Sequence, residues 1–331
     1  MIRHFGFDFP PVGLIGTLEQ LAPDDCEIYI LDPIGGQELP YHELGTDTWV
    51  IITTNEGSSH KWFDRLIPRL VDARVSPNHI VIRSACLWDP DSPVRHIHTI
   101  VDECSDFITM LQDYQPNAID PTHHFVCLNN GHRWQRFELT CELLKRNLKQ
   151  YGQISYIQPP PVAVWGFPIL IDRSEVSWIE QRDIDFPELS GALYNVICET
   201  AYEPEPGISR LTHHHRPGMT EKSYKCFALL QVPIWLAPYR AVACYRELGF
   251  DVFDDIIDHS YDLEIDPVKR ISMVADQIQT VCEQSHMQLL GIKNHLLPRF
   301  KHNWSRLGHY AHNFATELPQ WQVLFSGDDS I

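Results

Sequence analysis

Three stretches of the sequence combine charged and polar residue types with spacings suited to acid–base or anion chemistry. Thr220-Glu221-Lys222 heads a run in which Tyr224, Phe227, Ala228 and Leu230 recur at roughly helical spacing. The first turn of a helix exposes unpaired N–H groups and the positive end of the dipole, so Glu221 stabilises that turn and Lys222 stands near any phosphate held there. Asn129-Asn130-Gly131-His132-Arg133-Trp134-Gln135-Arg136 lies between a strand pattern and a helix pattern, where Arg133 or Arg136 is placed to fork onto a pyrophosphate. Thr53-Thr54-Asn55-Glu56-Gly57-Ser58-Ser59-His60 also follows a strand pattern, and Glu56 offers a carboxylate to take a proton from a hydroxyl, with Asp89 and Asp91 in reserve. A fourth stretch, His213-His214-His215, has the right residue type for zinc, but adjacent histidines do not share a face and no cysteine or further histidine lies at ligand spacing. It is read as a loop lending one histidine or Arg216 to an anion, and no metal site is expected. The plainer reading of these stretches is a set of solvated, charged helix starts, with Glu56 capping the helix that opens near His60.

Positioning such groups requires a sheet with helices on it, and the patterns supply one. Glu27 to Leu31, Trp49 to Thr54, His79 to Arg83, His124 to Leu128 and Ile154 to Ile157 are short β-branched or apolar runs that read as strands. Helices are expected over His60 to Ala73 despite Pro68, over His96 to Leu111, and over Arg136 to Gln150, whose Phe137, Cys141, Leu144 and Leu148 share a face. Val232 to Ala237 reads as a buried strand and Tyr239 to Leu248 as a helix stopped by Gly249. Asp266 and Pro267 open a helix carrying Ile271, Val274, Ile278 and Val281 on one side. Pro159-Pro160-Pro161 reads as a loop. Strands alternating with helices imply an open α/β sheet.

Composition narrows the class. A chain of 331 residues, 44% hydrophobic and 11% aromatic, fills two cores. A formal net charge of -18 opposes broad binding to nucleic acid or anionic membranes. The nine cysteines contain no Cys-x-x-Cys pair, and Cys127, Cys141, Cys226 and Cys244 sit in apolar runs, as reduced core residues of a cytoplasmic protein do. No run approaches eighteen apolar residues and no charged-then-apolar leader opens the chain, so neither integral membrane association nor a signal anchor is expected.

The run from about Asn195 to Gln284 resembles the C-terminal signature of the α1,3-fucosyltransferase family and its bacterial and viral relatives. The pieces are Val196-Ile-Cys-Glu199-Thr-Ala, Thr220-Glu221-Lys222, Gln231-Val232-Pro233-Ile234, Arg246-Glu-Leu-Gly-Phe250 and Ile257-Asp-His-Ser-Tyr-Asp262. Cys198-Glu199-Thr200 replaces the family's Phe-Glu-Asn, and Gly218-Met219 replaces its Tyr-Val. The Glu56 segment is similar to the family's Met-Glu-Ser-Pro-like segment.

That resemblance implies a GT-B-like architecture, two Rossmann-like domains facing a cleft. It places an acceptor-side domain at 1–118, a nucleotide-sugar domain at 119–290, and a tail at 291–331 that crosses back to the first. It implies transfer, with inversion, of fucose or another hexose from a GDP- or UDP-sugar to a hydroxyl of a glycan or similar acceptor, with no permanently bound cofactor. Glu56 would be the base, Arg133, Arg136 and Lys222 would meet the diphosphate, and Glu199, Thr220 and Glu221 would hold ribose, base or sugar. Two other readings stand beside it: a phage-type transferase acting on modified DNA bases, which the negative charge opposes, and a catalytically silent binding protein on the same fold.

Overall fold

A computed structural model describes residues 2–5, 12–22, 26–31, 39–54, 60–84, 94–98, 120–129, 133–156, 187–199, 202, 219–311 and 320–325. The chain forms two compact units, Met1–Asp106 with Leu211–Gly218 and His309–Ile331, and Phe107–Arg210 with Met219–Gly308. Each is α/β, built on a wholly parallel sheet.

In the first unit, strands β1 (Ile2–Phe5), β2 (Glu27–Leu31), β3 (Thr48–Thr54), β4 (Ile80–Ser84) and β5 (Arg95–His98) lie side by side in chain order. Side chains alternate across a strand, so Tyr29, Leu31, Val50, Ile52, Ile80 and Ile82 face one way and pack against Leu66 and Leu70 of α2 (His60–Asp72). Ile28, Ile30, Trp49, Ile51 and Val81 face the other way, against Leu18 of α1 (Val12–Leu21) and against Trp321 and Leu324 from helical turns at 320–325. Burial on both faces explains why these strands read as nearly unbroken apolar runs. α1 joins β1 to β2 on one face and α2 joins β3 to β4 on the other, while the sheet is crossed in a single direction. Two such crossovers have opposite hands, so one departs from the strong right-handed preference, and nothing among the described residues accounts for it.

The helix expected from His96 is a strand at its start. β5 pairs with β4 through Val81↔Arg95 and Ile82↔His96, and its Arg-His-Ile-His alternation carries period two. The remainder of that expected helix, and Pro159-Pro160-Pro161, lie outside the described residues.

In the second unit, β6 (His123–Asn129), β7 (Gly152–Tyr156), β8 (Ala192–Cys198) and β9 (Val232–Leu236) take the order β7-β6-β8-β9. Its helices are α3 (Trp134–Lys145), α4 (Pro187–Ser190), α5 (Glu221–Ala228), α6 (Ala241–Glu247), α7 (Pro267–Cys282) and α8 (His286–Ala311). α3 and α7 cover one face, joined by the Arg146–Asp276 ion pair at 2.5 Å, with Tyr194 donating to Gln284 just past α7 at 2.9 Å. α5 covers the other face: Trp235 Nε1 donates to Ser223 Oγ at 2.9 Å, and Phe227 stacks on Phe250. α8 joins that layer through Lys293, which donates to the Leu230 carbonyl at 2.8 Å.

The sequence expectation misplaced the buried side of α3. Phe137, Cys141 and Leu144 are half-buried, whereas Gln135, Arg136, Leu139, Thr140 and Leu143 are buried. The polar members tolerate burial because each is hydrogen bonded: Gln135 to the Glu199 carbonyl, Arg136 to the Cys198 carbonyl, Thr140 to the Arg136 carbonyl. The helix also stops at Lys145, with Asn147 in the left-handed region at φ 57°, and a 3-10 turn follows over Leu148–Tyr151.

Candidate functional site

The order β7-β6-β8-β9 reverses between β6 and β8. From β6 the chain moves outward to β7, then returns past β6 to β8 and onward to β9. At such a reversal the connections leave on opposite faces and part at the carboxyl ends of the strands, where open α/β sheets bind ligands. The ends in question are Asn129 of β6 and Cys198-Glu199 of β8.

Two helices begin beside these ends. α3 starts at Trp134 with Arg133 as its N-cap in extended backbone, and no side chain caps it. Arg133 is exposed, while Arg136, one turn in, is buried with its guanidinium donating to the Cys198 carbonyl at 3.2 Å. Both candidate arginines are therefore at the reversal, Arg133 as an exposed charge and Arg136 as a strut. α5 starts at Glu221 with Thr220 as N-cap, whose hydroxyl oxygen accepts the Lys222 N–H at 3.4 Å.

Glu199 ties β8 to α5. Its backbone N–H donates to the Leu236 carbonyl at 3.0 Å, extending the β8–β9 pairing. Its carboxylate accepts from Thr220 Oγ1 at 2.7 Å and Ser223 Oγ at 3.4 Å, and at 1% exposure it is removed from water. Ser223 in turn accepts from Trp235, so sheet, helix start and carboxylate form one chain of hydrogen bonds. Glu199, Thr220 and Lys222 are thus gathered at one place. For Glu221 the backbone position, the first residue of α5, is defined.

Asn129 completes the floor. Its Nδ2 donates to Cys127 Sγ at 3.4 Å, whereas its Oδ1 has no hydrogen-bond partner among the described residues although the side chain is only 2% exposed. A buried acceptor without a partner costs about 1–3 kcal/mol, so this position favours a donor. Ser223 was not singled out by type, and Asn129 and Gln135 entered only as members of the Asn129–Arg136 stretch. Asn129 alone carried a signal, as the last strand residue before a strand-to-helix loop.

The next helix start along the edge is already filled. Asp262 accepts from the Val242 and Ala243 N–H groups of α6, both at 3.0 Å. Burial raises its pKa above the ordinary carboxylate value despite those bonds. Buried Arg270 donates to the Ala237 carbonyl at 3.0 Å and to the Glu264 carbonyl, closing the end of β9. Places for an incoming anion therefore narrow to the α3 and α5 starts.

Glu56, Asp89, Asp91, His213-His214-His215 and Arg216 lie outside the described residues. Among the described residues no group of three or more His, Cys, Asp or Glu side chains is placed to hold a metal ion. No described helix is long and apolar enough to cross a membrane. Comparison of the chain with protein-family models, with curated proteins and with solved structures finds no match in any of the three.

Proposed function

We propose that the second unit binds the diphosphate of a nucleotide sugar where β6 and β8 part, and that the protein transfers the sugar to a hydroxyl acceptor. The observation that carries this reading is the convergence there of two helix starts, α3 without a side-chain cap and α5 bearing Lys222, beside Asn129, whose Oδ1 has no partner among the described residues. Backbone N–H groups and the Arg133 and Lys222 charges offset the charge of a diphosphate, both in the bound donor and as it departs. Asn129 Oδ1 accepts from a hydroxyl or N–H of the same ligand. Arg136 and Glu199, both buried and bonded, hold the strand ends and the α5 start in place.

In this reading the units are the acceptor-side and donor-side halves of a GT-B-like transferase, and Glu56 in the first unit takes the acceptor proton. GDP and UDP are the donor nucleotides to test first, with a glycan hydroxyl as acceptor and no resident metal. The resemblance of Thr220-Glu221-Lys222 and its neighbours to the fucosyltransferase signature supports the choice.

The experiment is a melting series with GDP and UDP. A ligand at a hundred times its dissociation constant adds about 2.7 kcal/mol of stability. Lys222→Ala and Arg133→Ala should each remove most of the shift. No shift with any nucleoside diphosphate would sink the donor site, and a shift without sugar turnover would leave a binding protein.

A further inference from the structure

The chain is turned inside out where the 3-10 turn over His259–Leu263 runs into α7. Glu264 has extended backbone, so Leu263 and Ile265 on either side of it point away from it. Glu264 is the half-buried one of the three: its carboxylate accepts the Asp266 N–H at 3.0 Å and pairs with Lys269, and its carbonyl accepts from Arg270 at 2.9 Å. The two aliphatic residues are left outside, at 63% and 61% exposure, with Val268 of α7 beside them at 55%. Among the described residues six large hydrophobics are exposed, and these three fall within six positions, so they form a strip and not scattered single side chains.

Leu263 is also a wall of a cleft of about 730 Å³ between α6, the 3-10 turn and α7. Four carboxylates line it, those of Asp254, Asp255, Asp258 and Asp262, against one guanidinium, that of Arg246. Arg246 is committed to Asp254 through two bonds of 2.6 and 3.0 Å, Arg299 meets Asp255 at 2.8 Å, and Asp262 is held by the α6 N–H groups. Asp258 is unmatched. Its Oδ1 accepts the Ser260 N–H at 2.9 Å, its own N–H donates to Gln277 of α7 at 3.2 Å, and no cation among the described residues reaches it. His259 brings no charge to the lining, since burial lowers its pKa and its ring nitrogens are engaged by Tyr261 Oη and the Val252 carbonyl.

We propose that this face docks a basic, aliphatic segment of a partner protein, a Lys or Arg head entering the cleft at Asp258 while aliphatic neighbours in the segment cover Leu263, Ile265 and Val268. Charge selects the occupant. With a formal net charge of -18 a second copy of the chain is repelled, and the cleft itself is acidic, so the partner supplies the positive charge. The strip selects a peptide over a small cation, because it continues past the cleft, where an ammonium ion alone would leave Ile265 and Val268 in water. A Lys or Arg stem packs on Leu263 while its head stays with the carboxylate. The inference does not rest on the donor-site reading, and none of its residues lies where β6 and β8 part.

The test is fluorescence anisotropy of the whole chain with a labelled peptide alternating Lys and Leu, beside two peptides of the same length, one with Glu in place of Lys and one with Ser in place of Leu. Only the first should bind, more weakly as salt rises. Asp258→Asn keeps an acceptor for the Ser260 N–H and removes the charge, and it should weaken binding about two- to fivefold. Leu263→Ser combined with Ile265→Ser should weaken it about tenfold or more. Asp47→Asn, at an exposed carboxylate of the first unit, should change nothing. No binding of the Lys–Leu peptide would overturn the docking face. Equal binding of the Lys–Ser peptide, or an equal loss from Asp47→Asn, would overturn it in favour of bulk charge attraction. Two measurements without peptide judge the other occupants. A dimer in sedimentation that Leu263→Ser dissolves would mean that a second copy covers the strip, and a melting point lowered several degrees by Leu263→Ser would mean that the chain covers it itself; either result overturns the partner.

Discussion

The two sheets share parallel strands buried on both faces, yet only one contains a reversal of strand order. In the first unit the chain steps from β1 to β5 in one direction, with no reversal of order among the described strands. In the second the reversal between β6 and β8 parts the connections, and five buried polar residues, Asn129, Gln135, Arg136, Glu199 and Ser223, lie at that edge, while others such as Asn195, Gln231, Lys293 and Asn303 are buried elsewhere in the unit. Among the described residues of the first sheet, buried polar side chains are few, chiefly Thr48, Thr53 and Arg83, with Arg83 donating to Thr53 Oγ1 at 3.3 Å. Burying polar groups costs stability unless they are bonded, so the second unit trades more apolar packing for internal hydrogen bonds than the described part of the first.

The largest separation between the units should come from Trp321. It is wholly buried among Ile28, Ile30, Ile51 and Val81, beside Phe325, and Arg95 donates to the Leu324 carbonyl at 3.1 Å. Trp321→Ala should cost about 3–5 kcal/mol, as large-to-small core changes do. Denaturant melts should show that loss while nucleoside diphosphate affinity, measured well below the transition, changes less than about threefold. A parallel loss of affinity would break the assignment of binding to the second unit alone.

Second in size is a pH effect confined to the second unit. Burial lowers the Lys293 pKa to about 8, where the ammonium touches the Leu230 carbonyl at the end of α5, with Cys226 and Asp120 acting on it. An unfolded lysine titrates near ~10.4, so between those values the unfolded chain holds a proton the folded unit has released. Stability therefore rises with pH through that window. The penalty, about 3 kcal/mol, is fully present below pH about 8. Lys293→Met should flatten the rise, and a native-minus-variant difference that does not change between pH 8 and 10 would contradict it.

Lys293 also shows why part of the second unit was illegible from sequence. The buried stripe of α8 runs Leu289, Lys293, Leu296, Phe300, Asn303, Leu307, a regular alternation of three- and four-residue steps. Two of its six members are polar, because Lys293 caps α5 and Asn303 takes the Asp251 N–H and donates to the Asp251 carbonyl, and they erase the apolar period. α3 hid its buried side in the same way, through Gln135 and Arg136. Legible elements were those whose local chemistry agreed with the fold. Asp266 before Pro267 caps α7 through the Val268 N–H, Thr220 caps α5, and Gly249 at φ 82° ends the segment after α6. Of the site, the helix starts could be read locally. The strand reversal could not, since strand order is set by contacts far apart in the chain.

The smallest effect of the three concerns Glu199, and it separates a carboxylate that binds ligand from one that builds the site. Its carboxylate oxygens accept from Thr220 and Ser223 at the α5 start, while its backbone joins the β9 end and accepts from Gln135 of α3. Glu199→Gln keeps the volume and places an NH2 against one of two hydroxyl donors, so one charge-assisted bond is lost, about 1.5–3 kcal/mol. If Glu199 only anchors α5, the loss should appear as lower stability with nucleotide affinity reduced only through a looser Lys222. Thr220→Ala, which breaks the same strap from the other side, should then act non-additively with it in a double-mutant cycle, coupled by about 1 kcal/mol or more. Full additivity, together with a hundredfold loss of affinity in Glu199→Gln alone, would mean that the carboxylate meets the ligand itself, and the β8 end would then contribute a binding group where it now contributes a brace.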